Sequence, residues 1–138
     1  VIDASVLVSA FLFPESLPAQ VLVIGDRGLC KLHVSEILLE EVRRALQKPR
    51  LIRSYAYDEN SAAAWVHALR DRLFVIQNPL PDIQSKCRDP DDDHVLAAAI
   101  VSGANVIITG DVDLLSLKSF QDIDIINPRD YLARLKAV

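Results

Sequence analysis

Short apolar runs rich in β-branched residues alternate along this chain with segments whose apolar residues recur at helical spacing, and that alternation dictates its class of fold. The runs are Val1–Asp3, Cys30–Val34, Leu73–Ile76, Val106–Thr109 and Ile123–Ile126. After the first, Val6, Leu7, Ala10 and Phe11 take up the helical spacing at once, so strand passes directly into helix. Pro18 to Arg27 reads as a second helix, with Gly28 suited to a left-handed end. Ser35 caps a third through about Gln47, stopped by Pro49, and Asp58 caps a fourth through about Arg72. Asp89-Pro90 opens an alanine-rich helix that ends at Gly103, and Asn127-Pro128 opens the last, to about Lys136. Strands alternating with helices predict an α/β fold with a parallel sheet covered on both faces.

A chain of 138 residues, 51% of them hydrophobic, is the size of one domain and can supply its core. A single domain over residues 1–138 is therefore expected. Charge interrupts every apolar run before the roughly 18 to 20 residues that a membrane span needs, and the start VIDASVLVSAF lacks the basic region of a signal peptide. The expectation is a cytoplasmic protein with no membrane partner. Cys30 and Cys87 have no CxxC neighbour and read as reduced thiols. The chain has no Met and is already in an apolar run at Val1, so the first strand is expected to extend further.

Ligand sites of parallel sheets lie beyond the carboxyl ends of the strands. Asp3 ends the first strand there, and Asp111 follows the VIITG run of the fourth. Each has a plainer alternative as the cap of the helix or turn beside it. CRDPDDDHVLAAAIV is more telling. Acids in the first turn of a helix are stabilised by its dipole, yet Asp89, Asp91, Asp92 and Asp93 exceed what a cap requires, and their mutual repulsion is most readily relieved by a cation. Asp93, three residues before Leu96 and four before Ala97, is predicted to face the sheet, with Asp92 nearer to solvent. In SEILLEEVRRAL the same periodicity places Glu41 on the buried face, following Ile37 and Leu38, and leaves Glu40 outside to pair with Arg44. A carboxylate on an apolar stripe needs a partner, either a metal shared with Asp3 or a base such as Arg43.

Such hard oxygen ligands suit Mg2+ or Mn2+, which can activate water and stabilise a leaving oxygen without a nucleophilic side chain. None is evident: there is no GxSxG elbow and no Walker-type loop. His94 points about 100° from Asp93 on a helix and is read as a surface residue; His33 and His67 are read as structural. The net charge of −4 disfavours a phosphate-binding surface overall, but Arg27, Lys31, Arg43, Arg44, Lys48, Arg50 and Arg53 make one stretch net basic. Arg43, Arg44 and Lys48 are its candidate nucleic-acid contacts.

Together VIDASVLVSAF, SEILLEEVRRAL, DPDDDHVLAAAI, ITGDVDLLSL and INPRDYL resemble the PIN-domain family, and most closely bacterial toxin components related to the VapC ribonucleases. The resemblance implies a three-layer α/β/α fold with a central parallel sheet of four to five strands. It places the family's four acids on Asp3, Glu41, Asp93 and Asp111 as catalytic and metal-holding residues, with Ser5, Asp92, Thr109 and Asp113 in support. It further implies a Mg2+- or Mn2+-dependent endoribonuclease hydrolysing RNA phosphodiesters, a homodimer, and an antitoxin partner. A PIN-shaped binding or assembly module without useful activity is the alternative. A phosphatase of the haloacid-dehalogenase type fits less well, since it needs an Asp where Ser5 stands.

Overall fold

The computed structural model describes residues 1–84 and 86–136. Among these residues the helices are α1 (Ala4–Leu12), α2 (Leu17–Asp26), α3 (Glu36–Leu46), α4 (Pro49–Tyr55), α5 (Glu59–Arg72), α6 (Asp93–Ser102), α7 (Val112–Leu115) and α8 (Pro128–Lys136). A 3-10 turn over Pro90–Asp92 leads into α6. The strands are β1 (His33–Val34), β2 (Phe74–Val75), β3 (Val106–Ile108), β4 (Ser119–Phe120) and β5 (Ile123–Ile126).

The fold is α/β, but its strands form two small sheets where the sequence predicts one central parallel sheet of four to five strands. β1 pairs in parallel with β2, while β5 lies between β3, to which it is parallel, and β4, to which it is antiparallel. The chain's first residues are tied to both sheets. Ile2 N–H donates to the His33 carbonyl at 3.0 Å, Asp3 N–H to Ile108 at 2.9 Å, and Ile108 N–H to Val1 at 2.8 Å. Ile2 thereby forms a parallel bridge to Ile108. The antiparallel β4 is unforeseen because its two-residue turn to β5, Gln121-Asp122, is not the Asn-Gly type that signals a hairpin. Both residues nonetheless hold the positive φ such a turn demands, 48° and 64°.

Caps set most helix boundaries. Ser35 Oγ accepts from Leu38 N–H at 3.1 Å, Asp58 Oδ1 from Ser61 N–H at 2.7 Å, and Asn127 Oδ1 from Asp130 N–H at 2.8 Å. Gly103, at φ 69°, ends α6 in the left-handed region that costs glycine nothing. Pro49, expected only to stop α3, instead occupies the first turn of α4, where its missing N–H has no helical partner to lose. On α6, Val95 to Ala99 are all buried, and the small alanines let that helix pack closely. Around it the core is filled by Ile2, Leu7, Leu38, Leu46, Leu69, Leu96, Ile107 and Leu114, each fully buried.

Candidate metal centre

Asp3 follows the Ile2 bridge and stands at the start of α1, yet its side chain does not cap that helix. Only 6% exposed, it turns its Oδ2 to two hydroxyls, Ser5 Oγ at 2.9 Å and Thr109 Oγ1 at 2.7 Å. Each hydroxyl is oriented in turn by a backbone donor: Gly110 N–H to Ser5 Oγ and Asp111 N–H to Thr109 Oγ1, both at 3.0 Å. The arrangement joins the end of the first strand segment to the end of β3 and fixes a buried carboxylate that would otherwise be costly.

Beyond β3, Asp111 caps α7 by accepting from Asp113 N–H at 3.1 Å. Its capping and site roles are therefore compatible. Carboxylate oxygens of Asp92, Asp111 and Asp113 lie within 4.8 Å of one another. Burial, followed by the hydrogen bond to Asp111 and the charges of Asp111, Asp89 and Asp3, pushes the Asp92 carboxyl up to about 7. Arg88 approaches this group from the preceding loop, its Nη1 3.3 Å from Asp113 Oδ1.

From the DPDDD run, Asp92 is thus brought to Asp111. The Asp93 carboxylate accepts from the loop instead, from Lys86 N–H at 3.1 Å and Cys87 N–H at 2.8 Å. The periodicity places Asp93 toward the sheet and Asp92 nearer to solvent; both are half-buried, Asp92 at the end of the 3-10 turn and Asp93 at the first position of α6. The same loop buries Cys87, whose thiol is pushed up to about 12 by burial and then by Asp93, with smaller effects from Asp92 and Asp111.

Glu41 also differs from expectation. Its side chain is 43% exposed, flanking the buried stripe of Leu38, Leu39, Val42 and Leu46, and Ile37 beside it is 47% exposed. Its partner is His94, with Nε2 2.5 Å from Glu41 Oε1. His94, expected on the surface, is only 14% exposed. Burial lowers its pKa, but the Glu41 hydrogen bond and the charges of Glu41, Asp3 and Asp92 outweigh that and raise it. The imidazole thus touches Glu41 and is near enough to Asp3 and Asp92 to feel their charge. Arg43, the base considered for Glu41, binds Glu40 and Gln47, and Arg44 also turns to Glu40. Lys48 is exposed at the start of α4.

A family model described as a PIN domain matches residues 1–113. The chain belongs to the PIN-domain family. The match takes in Asp3, Glu41, Asp92, Asp93, Asp111 and Asp113 and ends before the β4–β5 hairpin and α8. An uncharacterized protein of Methanocaldococcus jannaschii is 34% identical over 118 residues, covering 86% of this chain and 74% of that protein. PIN domains are generally nucleases and typically use divalent metal ions, so membership points to a nuclease-type function. In this PIN domain, Asp92, Asp111 and Asp113 could hold such an ion: all three offer hard carboxylate oxygens, and crowding has already raised the pKa of one.

Proposed function

We propose that this PIN domain is a Mg2+- or Mn2+-dependent endoribonuclease that hydrolyses RNA phosphodiester bonds. The observation that carries the reading is the convergence of Asp92, Asp111 and Asp113 beside buried, hydroxyl-held Asp3. Asp92, Asp111 and Asp113 would hold the cation, with Asp3 and Glu41 holding it or its waters from the flanks. When bound, the ion lowers the pKa of an attacking water and offsets charge on the phosphate. Asp3 cannot swing away, because Ser5 and Thr109 fix Oδ2. Exposed Arg88 supplies a positive group at the rim, where a phosphate can exchange for Asp113. On the strength of the five motifs we extend the reading to the toxin of a toxin–antitoxin pair.

Cleavage of a labelled RNA with Mn2+ or EDTA tests it. Wild-type protein is expected to cut only with the metal, with Asp92→Asn and Asp111→Asn slower by orders of magnitude. Saturating Mn2+, at about 100 times its dissociation constant, should stabilise the wild type by roughly 2.7 kcal/mol and these variants by much less. Cutting that persists in EDTA, or in Asp111→Asn at the wild-type rate, would sink the proposal.

A further inference from the structure

Glu41 is a half-exposed side chain with three rotatable bonds, and neither arginine close by on its own helix holds it. Arg43 and Arg44 are both engaged by Glu40. What holds Glu41 is His94, 53 positions away on α6, through the 2.5 Å contact of Nε2 with Oε1. The imidazole has no other polar engagement among the described residues, since its buried Nδ1 has no hydrogen-bond partner. A ring so placed is anchored by packing on one side and committed to a single carboxylate oxygen on the other. Among the described residues no hydrogen bond reaches the second oxygen of Glu41, whose lone pairs are left for a cation or a coordinated water.

We infer that His94 is a positioning residue that aims Glu41 at the metal centre. The inference rests on the reading of that centre given above. It predicts that His94 acts through Glu41 and has no effect once Glu41 cannot ligate. Mn2+ binding, followed by the loss of the electron paramagnetic resonance signal of the free ion, provides a readout independent of cleavage. Glu41→Gln and His94→Ala should each weaken binding roughly tenfold or more, as loss of a ligand's hydrogen-bond partner commonly does. The double variant should bind no more weakly than Glu41→Gln alone, and His94→Gln, which keeps a donor, should recover most of the affinity. Should His94→Ala fail to fold, His94→Met fills the space without a donor. Unchanged affinity on loss of the donor, or losses that add in the double variant, would overturn the inference. If wild-type protein binds Mn2+ but leaves RNA uncut, the nuclease reading falls, and the same coupling still establishes the role of His94. A wild type that binds no Mn2+ overturns both.

Discussion

Asp92 and Asp93 are neighbours in sequence whose carboxylates do opposite work, one crowded against Asp111 and the other accepting two loop amides. Because burial and its acidic neighbours raise Asp92 from 3.8 to about 7, the folded state holds that proton more tightly than the unfolded state does. The associated stability is complete below pH 3.8 and is lost as pH rises through about 7. In EDTA, the wild type should therefore lose Tm relative to Asp92→Asn across that interval, and parallel Tm profiles for the two proteins would show the crowding to be absent. Asp93→Asn weakens a different set of bonds. It should speed amide exchange at Lys86 and Cys87 while changing Mn2+ affinity far less than Asp92→Asn does, and the reverse ranking would return Asp93 to the metal. The sequence shows that the DPDDD run carries more acid than a cap needs. Which carboxylate meets Asp111 depends on what the fold brings to each, Asp111 from beyond β3 and the Lys86 and Cys87 amides from the loop, and no spacing rule within the run reveals those neighbours.

At the scale of the element, α3 separates its two glutamates by side. Glu40 forms the surface pair with Arg44 that an i,i+4 spacing predicts, and takes Arg43 as well. Glu41 crosses to α6. Glu41→Gln should slow RNA cleavage by orders of magnitude, while Glu40→Gln changes it little; an essential Glu40 would place the wrong face of α3 at the site. The helix itself begins at Ser35, only 3% exposed, whose Oγ satisfies Leu38 N–H. Ser35→Ala should cost about 1 to 2 kcal/mol in denaturant unfolding, since the amide is then buried without a partner. Caps and breakers were the readable part of the helices: Ser35, Asp58, Gly103 and Asn127 stand where their chemistry says. Pro49 was ambiguous because proline both ends a helix and begins one, and α4 buries no residue that could have marked it by periodicity.

Across the molecule, acids gather beyond β3, where Arg88 reaches Asp113, while Arg43, Arg44 and Lys48 lie on α3 and at the start of α4. Neutralising Arg43, Arg44 and Lys48 together should weaken binding of single-stranded RNA and reduce the slope of log affinity against log salt by roughly 0.7 for each phosphate no longer neutralised, with Mn2+ affinity unchanged. An unaltered slope would move the RNA path to Arg88 or elsewhere. That Asp3 and Asp111 come together was legible because parallel strands end side by side, as they do here even though the strands are too short to form the single sheet expected. His94 was not legible, because its importance comes from an element distant in sequence; the clue available was Glu41, a carboxylate in need of a partner.

The hydroxyl of Thr109 reaches Asp3 across 106 positions. Asp3 is among the first residues of this segment to leave the ribosome and Thr109 among the later ones, so a partly synthesised chain carries its first acid with only one of its two hydroxyl partners, Ser5, beside it. The site therefore comes together only once the chain has been made through β3 and the start of α7, and until then its acids are separate groups on an unfinished polypeptide.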